Sequence, residues 1–401
     1  MIKTDKYQKS FSIALIALVG YQLLISFMSG FRWPSDYILT NHVISYRQGF
    51  LPRSLVGAIG YVAFGTKWYS WKYMSVVIML TGLIFVLWIC ALLLKSGYDF
   101  NNPALFVIIA AFAISPYAKY YLHEMGYYEQ YGYALLILLV YVCKKDSTWR
   151  TYILPAIVAF IALLISESNM FLIVPVTFAF SFIAIMNSKK GKVIVKSTLY
   201  LFLTYIPHII YSILIFEVKV PLEKIIAIQS YDRAMVNASS LHFNFNFRED
   251  VHLYMSGDRS NADSWGRALR PIPIWCVAMT ALLIIFVAYC IYRSHHDKKL
   301  VFSYALSAVA VALADYSIMI VAWDLERFYF TIFISVLFVS IYTLKKYEIK
   351  NIPTGEFLLI SAIFILAYVG MSSNRLGLFD EAVYNNTWND FLNVVFSRIK
   401  G

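Results

Sequence analysis

Long apolar runs recur along this chain and constrain its fold more than any other feature. A helix needs about 20 apolar residues to cross the hydrocarbon core of a bilayer. The chain has 401 residues, of which 60% are hydrophobic and 14% charged, too apolar a composition for a soluble domain. We therefore predict an all-α, polytopic integral membrane protein forming a single transmembrane domain over residues 1–401. Eleven candidate spans are found at roughly 10–30, 73–94, 104–118, 131–143, 152–166, 169–187, 197–216, 273–292, 300–322, 328–344 and 356–372.

Lysine and arginine fall on opposite sides when eleven spans are threaded in order. Fifteen of the 21 lysines lie on one side, and 11 of the 13 arginines lie on the other. Lysine in short loops favours the cytoplasm, which predicts a cytoplasmic N-terminus and an outer C-terminus. The arginines on the outer side need another explanation, and the planar guanidinium group suits phosphate or carboxylate.

Composition and motifs exclude several classes of function. The formal charge of +11 is scattered over loops and forms no basic stripe, which argues against nucleic acid as a partner. The four cysteines form neither a CxxC pair nor a disulfide framework. Walker, GxGxxG and GxSxG motifs are absent from the sequence, so ATP-driven transport and dinucleotide chemistry lack support. The first apolar run is long enough to span and lacks the small-residue cleavage pattern of a signal peptide.

Three segments between spans lie on the predicted outer side. The first, residues 30–72, contains two short apolar stretches at 37–46 and 54–64, which are too short to cross and are predicted as interfacial or re-entrant helices. The second is the tyrosine-rich turn YAKYYLHEMGYYEQYGY. The third, residues 217–271, carries five arginines and no spanning stretch, and is predicted as a soluble cap or flap.

Charged side chains on the outer side are the candidates for chemistry. The acidic set is Asp36, Glu124, Glu129, Glu167, Asp324 and Glu326, and the basic set is Arg32, Arg47, Arg53, His42, His123 and Arg327. No metal-ligand spacing and no cofactor motif is found among them, while a divalent cation, Mg²⁺ or Mn²⁺, stays open.

Asp36 follows the first span, where a carboxylate could accept a proton from an attacking hydroxyl, hold a metal ion, or simply cap the helix that follows it. Arg47 and Arg53 flank a turn made by Gly49 and Pro52. Their guanidinium groups could converge on one diphosphate or anchor the loop to lipid headgroups.

A carboxylate beside tyrosine rings suits a sugar, because rings cover apolar sugar faces and acids bind hydroxyls. His123, Glu124 and Tyr127 form such a group in the second outer segment, although an interfacial tyrosine belt has the same composition. Asp324 and Arg327 are predicted at the outer end of a span, as phosphate contacts or as a plain ion pair.

Two acids fall at positions where burial in a membrane is costly. The turn Ser166–Glu167–Ser168–Asn169 joins two spans that share only about 36 residues, so we expect it to be drawn to or below the membrane surface. Polar backbone at that depth survives only beside protein or water, which predicts a wet cavity open to the outer side. Asp315 lies within a predicted span and is a functional candidate for the same reason.

This arrangement resembles the GT-C-type glycosyltransferases, polytopic membrane enzymes of bacterial surface polysaccharide pathways such as O-antigen and capsule. The resemblance rests on Asp36 after span one, juxtamembrane helices in the first outer loop, and Glu124 in the next. It covers mainly residues 1–217, and the paired acids of the family are reduced to Asp36 in loop one. Such enzymes transfer a sugar from a polyprenyl phosphate or diphosphate to a glycan or lipid-linked acceptor at the periplasmic face of the inner membrane.

The resemblance implies roles for the candidate residues. Asp36 or Glu124 would deprotonate the acceptor, while Arg47, Arg53 and Arg327 would bind the lipid-linked phosphate. The remaining substrate contacts would come from His123, Tyr127, Glu167 and Asp324. An O-antigen or capsule repeat-unit polymerase shares these features. A transporter or flippase for a lipid-linked or anionic solute, and a non-catalytic scaffold of envelope assembly, are the alternatives from other classes.

Overall fold

The computed structural model of the chain is built from helices. It describes residues 2–47, 49–51, 53–98, 102–123, 125–189, 191–216, 272–318, 325–348, 354–376 and 384–397, and these contain no β-strand. The α-helices of the described residues are α1 Ile2–Gly30, α2 Asp36–His42, α3 Ser54–Phe64, α4 Trp71–Gly97, α5 Pro103–Ile114, α6 Pro116–Tyr121, α7 Glu129–Val142, α8 Leu154–Ile165, α9 Asn169–Ser188, α10 Lys192–Phe216, α11 Ile274–His295, α12 Lys298–Ser317, α13 Leu325–Lys346, α14 Thr354–Met371 and α15 Trp388–Ser397.

Eight helices of the described part of the chain are long and apolar enough to cross a membrane, which confirms the prediction of an all-helical membrane protein. They are α1, α4, α9, α10, α11, α12, α13 and α14. Three shorter apolar helices, Pro103–Ile114, Glu129–Val142 and Trp149–Ile165, coincide with the third, fourth and fifth predicted spans. The predicted outer loop 217–271 lies outside the described residues.

Pro116 divides the third predicted span into two helices. Ser115 is extended (ψ 155°) between α5 and α6, and Pro116 occupies the first turn of α6. Proline has no backbone N–H to continue a helix but fits its first turn, which explains the break.

The short helix α7 contacts the long helix α13 at both of its ends. At one end, Glu129 Oε1 lies 3.9 Å from Arg327 Nε. At the other end, Lys346 Nζ donates a hydrogen bond to the carbonyl of Cys143 at 2.9 Å. Both ends of α7 are therefore tied to α13 through the long side chains of Arg327 and Lys346.

Segments predicted on the same side of the membrane contact each other. One end of the bundle, here called the lysine-rich end, carries Lys189 and Lys299. There, Lys299 Nζ donates to the carbonyl of Lys189 at 3.0 Å, and His295 Nε2 hydrogen-bonds the carbonyl of Tyr347 at 2.8 Å. The opposite end, here called the arginine-rich end, carries the predicted outer arginines. There, the backbone N–H of Asn385 donates to the carbonyl of Ser29 at 2.8 Å. These contacts agree with the alternation of the threaded spans.

α13 is the central helix of the bundle, and it packs against α7, α9, α11 and α12. Of the residues in its most apolar stretch, 94% are buried. Aromatic pairs link it to its neighbours, with stacked rings 4.2 Å apart for Tyr117 and Phe333 and 4.1 Å apart for Phe180 and Tyr342. A helix apolar on all sides is expected at such a position.

The first outer loop folds into two short helices, as predicted. α3 covers residues 54–64, whereas α2 ends at His42, four residues before the predicted end at 46. Gly49 has φ 133° and Arg53 has φ 62°, so the chain reverses between the helices. α2 packs on α4 and α3 packs on α8, which fixes the loop over one end of the bundle.

Candidate functional site at the arginine-rich end

The structure does not describe the side chains of three predicted site residues. Glu124 and Asp324 lie outside the described residues, and Asp36 is described only as the first residue of α2. The remaining predicted residues lie at the arginine-rich end of the bundle, around the turn from residue 125 to residue 131. They fall into two acid–arginine pairs, a basic group and Arg47, which contacts Tyr61.

The first pair joins Arg53 of the first outer loop to Glu167 in the turn between α8 and α9. Arg53 Nε donates to both carboxylate oxygens, at 2.8 Å to Oε1 and 3.1 Å to Oε2, and Nη2 forms an ion pair with Oε1. Nη1 also reaches Asn41 Oδ1 at 3.5 Å. Several hydrogen bonds to one carboxylate hold both partners in a fixed orientation.

The turn that carries Glu167 is largely buried within the protein, while its predicted depth in a membrane and the wet cavity predicted beside it stay predictions. Ser166, Glu167 and Asn169 are buried, and Asn169 Nδ2 donates to the carbonyl of Ala162 at 2.8 Å. Protein groups therefore surround the polar backbone of the turn, the condition under which such backbone is stable at membrane depth.

A histidine–tyrosine group lies next to this pair. His42 stacks on Tyr128 with ring centroids 4.9 Å apart, and its Nε2 lies 2.9 Å from the hydroxyl of Tyr131. The hydroxyl of Tyr128 donates to the carbonyl of Asn41 at 2.7 Å. Burial lowers the pKa of His42 to about 4, so the ring is neutral at pH 7.

Arg47 and Arg53 have different partners. The Arg47 guanidinium lies 4.0 Å from the centroid of the Tyr61 ring, a cation–π contact with α3. Arg53 bonds Glu167 and Asn41. Binding of one diphosphate by both arginines, as the sequence predicted, would require a phosphate oxygen to compete with Glu167 for Arg53.

The second pair joins Arg327 to Glu129, at the starts of α13 and α7. Besides the 3.9 Å contact between Nε and Oε1, the guanidinium lies 4.3 Å from the ring centroid of Tyr127 and 4.8 Å from that of Phe328. The Tyr127 ring and the Arg327 guanidinium, both predicted site groups, are therefore in contact.

The basic group surrounds His123. Arg32 Nη1 lies 3.1 Å from His123 Nε2, and the rings of His123 and Tyr384 are 5.9 Å apart. The Arg375 guanidinium lies 5.7 Å from the Tyr384 ring. Burial and the nearby Arg375 lower the pKa of Lys119. Several basic side chains thus gather where α1, α6 and the residues after α14 meet.

The site also contains groups to which the sequence assigned no role. Glu129, His42 and Arg32 belong to the outer charged set, Tyr131 belongs to the tyrosine-rich turn, and Asn41 alone gave no signal. Their roles depend on contacts between distant segments, such as the 89 residues between His42 and Tyr131. Spacing in one sequence does not reveal such contacts.

Among the described residues, no group of three or more His, Cys, Asp and Glu side chains could hold a metal ion. A requirement for Mg²⁺ or Mn²⁺ stays a prediction. Among the described groups, the guanidinium groups of Arg53 and Arg327 lie against the carboxylates of Glu167 and Glu129.

No protein-family model matches this chain, and neither a curated protein nor a solved structure is significantly similar to it.

Proposed function

We propose that this chain is a membrane-embedded glycosyltransferase that transfers a sugar from a polyprenyl phosphate-linked donor to a glycan or lipid-linked acceptor. One arrangement supports this above all. The Glu167 carboxylate, held by Arg53, lies beside the histidine–tyrosine group of His42, Tyr128 and Tyr131. The loop that carries α2 and α3 contributes Arg53 and His42 to this arrangement. Fixed carboxylates and tyrosine rings suit a sugar, and arginines suit its phosphate.

The chain is proposed to cross a bacterial inner membrane eleven times, with the arginine-rich end in the periplasm. Eight helices have the length and composition to span, and the shorter apolar helices Pro103–Ile114, Glu129–Val142 and Trp149–Ile165 would make the other three crossings. The excess of lysine at the other end supports the orientation. The product would belong to a surface polysaccharide such as O-antigen.

In the proposed reaction, the acceptor hydroxyl attacks the anomeric carbon of the donor. The O–H proton passes to the carboxylate of Asp36 or Glu124. The new C–O bond forms as the bond to the phosphate oxygen breaks, and the phosphate leaves with that electron pair. Arg47, Arg53 and Arg327 stabilise its charge. A single displacement of this kind inverts the anomeric configuration.

The remaining predicted residues bind and orient the substrates. Glu167, placed by Arg53, accepts hydrogen bonds from sugar hydroxyls, while Tyr127 presents its ring. His123 and Asp324 complete the contacts to sugar and phosphate.

Sugar transfer from a polyprenyl-phosphate donor tests the proposal in membranes containing Asp36→Asn, Glu124→Gln or the unchanged protein. We expect at least one substitution to reduce turnover by about 100-fold, the contribution of a general base. Asp146→Asn is the matched control, because Asp146 lies at the lysine-rich end, paired with Lys346. Unchanged turnover in both outer variants would end this mechanism.

A repeat-unit polymerase would use the same site, and its product distinguishes it. A transferase adds one residue to each acceptor, whereas a polymerase yields a ladder of lengths.

A transporter or flippase is the second candidate, favoured by Asp315, which is fully buried in α12. Acids buried among membrane helices often serve ion-coupled transport. Solute uptake that depends on Asp315, with no change in cell-surface glycan, would favour this function over glycosyl transfer.

A further inference from the structure

The helix α15, Trp388–Ser397, carries large apolar side chains in exposed positions. Trp388, Leu392 and Phe396 follow one another at intervals of four residues, so they form a ridge along one side of the helix. Their exposed fractions are 60%, 40% and 47%. Because apolar side chains are more stable away from water, this apolar ridge favours an apolar partner.

A second side of α15 packs on the segment that follows α1. The rings of Phe391 and Phe31 are 5.4 Å apart, in an edge-to-face arrangement. The Trp33 indole Nε1–H lies 3.2 Å from the carbonyl oxygens of both Val394 and Val395. Phe391, Val394 and Val395 are half-buried and lie on the side of the helix next to the apolar ridge. These contacts hold α15 against the bundle while the ridge stays exposed.

A third side of α15 is polar. Asn389, Asn393 and Ser397 are exposed and also follow one another at intervals of four residues. This polar ridge lies about 100° further round the helix, on the side of the apolar ridge that is away from the packed face. Packed, apolar and polar sides thus follow in that order round α15. A helix that lies along a membrane surface at the rim of a bundle meets protein, lipid and water in the same order.

Both ends of α15 are held where spanning helices end. Before its first turn, the backbone N–H of Asn385 donates to the carbonyl of Ser29 at 2.8 Å, and Asn385 Nδ2 donates to the carbonyl of Met28 at 2.9 Å. At its last turn, its carbonyls accept the hydrogen bonds of Trp33, whose ring lies 5.7 Å from that of Trp71. Met28 and Ser29 lie near the end of α1, and Trp71 is the first residue of α4. Since α1 and α4 are both long and apolar enough to span, α15 lies close to one membrane surface.

The exposed side of α1 leads to the start of α15. Tyr21 and Leu24 are 62% and 49% exposed, and Met28 lies two turns beyond Tyr21 on the same side of the helix. In a membrane, an exposed apolar side of a spanning helix faces lipid. The lipid that covers this side of α1 therefore extends to the residue at which Asn385 binds.

We propose that α15 is an interfacial helix, and that Trp388, Leu392 and Phe396 insert into the phospholipid at the membrane surface of the arginine-rich end. Tryptophan suits this depth, because its ring is apolar and its indole N–H is polar. The ridge is too small for a second copy of the chain. Its three side chains expose on the order of 300 Å², whereas a stable protein interface needs about 800 Å² from each partner. This proposal does not depend on the proposed glycosyl transfer.

A dye attached to each side of α15 tests what the helix contacts. The full chain carries Leu392→Cys, labelled with the environment-sensitive dye NBD, and is reconstituted in phosphatidylcholine nanodiscs, which leave both membrane surfaces open to solvent. We expect the emission to shift to the blue. A phospholipid with a nitroxide near its headgroup should remove most of the emission, and iodide in the water should remove little of it. The unsubstituted protein, treated in the same way, gives the background from the native cysteines.

Asn393→Cys is the matched control, since Asn393 is the next residue of the same helix and lies on its polar side. Its dye should emit at longer wavelength, and iodide should quench it more strongly than the nitroxide lipid does. Phe396→Cys, one turn beyond Leu392 on the apolar ridge, should repeat the result of Leu392→Cys.

Two results would overturn the proposal. Strong quenching by iodide at Leu392 and Phe396 would place the apolar ridge in water. Protection of both positions from iodide and also from the nitroxide lipid would mean that protein covers the ridge, either a second copy or another segment of this chain.

Discussion

Arg53 and Glu167 lie 114 residues apart in the chain, yet each side chain is positioned by the other. Their side chains are only 16% and 7% exposed. Removing one partner of a buried ion pair leaves the other charge uncompensated. The sequence singled out both residues as candidates but could not pair them, because the contact exists only once the first outer loop packs on the turn between α8 and α9.

Glu167→Gln is expected to destabilise the protein by about 3 kcal/mol, the cost of a buried charge that loses its partner. Melting or denaturant titration of the purified protein measures this. Glu356→Gln is the matched control: Glu356 pairs with Arg293 at the lysine-rich end, where both side chains are at least 31% exposed. Breaking an exposed pair should cost less than about 1 kcal/mol. Equal losses in the two variants would show that Glu167 carries no buried charge.

His42 makes the first outer loop sensitive to acid. Burial lowers its pKa from 6.5 to about 4, so the folded state favours the neutral ring. The stability from this preference is complete above the unfolded pKa of 6.5. It is lost as the pH falls toward 4, because the unfolded state then binds a proton that the folded state does not. The full effect is on the order of 3 kcal/mol.

His42→Gln should remove this part of the acid sensitivity. The slope of melting temperature against pH between pH 6.5 and pH 4 is the measurement. The variant should melt below wild type at pH 7, because it loses the stacking on Tyr128, and approach it as the pH falls. An unchanged slope would mean that the buried ring does not control the acid response.

At the scale of helices, close packing depends on glycine at specific points. A Cβ on Gly30, at the end of α1, would overlap the backbone carbonyl of Lys119 in α6. Backbone cannot move aside as a flexible side chain can, so the two helices would separate. At Gly370 in α14, no atom of the described residues lies within 4 Å of such a Cβ.

Gly30→Ala is therefore expected to destabilise the protein by about 1–3 kcal/mol, the usual cost of overpacking. Gly370→Ala should be neutral or stabilising by up to about 1 kcal/mol, since alanine favours helix. The melting temperatures of the two variants, compared with that of the unchanged protein, measure both effects. An unchanged melting temperature for Gly30→Ala would mean that α1 and α6 do not approach as closely as described.

The sequence predicted helices better than it predicted their contacts. Hydropathy placed the long spans, and the length of an apolar stretch gave α3 its bounds of 54–64. It missed the break at Pro116, because an apolar run continues through a proline that starts a new helix. It extended α2 to residue 46, because the buried residues Val43 and Ile44 continue the helical spacing after the helix has ended.

At the scale of the whole molecule, the number of spans decides which loops share a side. With eleven spans and a cytoplasmic N-terminus, Phe50 lies outside and Lys298 lies inside. If the three shorter helices did not cross, the direction of every later span would reverse and Lys298 would also lie outside. Both residues are exposed, so cysteines placed there are accessible to a reagent in water.

Intact cells producing Phe50→Cys or Lys298→Cys are treated with a membrane-impermeant maleimide. We expect labelling of Phe50→Cys before permeabilisation and of Lys298→Cys only after it. The unsubstituted protein is the control, and its background should be low because Cys143, Cys276 and Cys290 are buried and Cys90 is half-buried. Labelling of both variants in intact cells would reduce the count to eight. Labelling of Lys298→Cys alone would invert the orientation and move the arginine-rich end, with its acid–arginine pairs, into the cytoplasm.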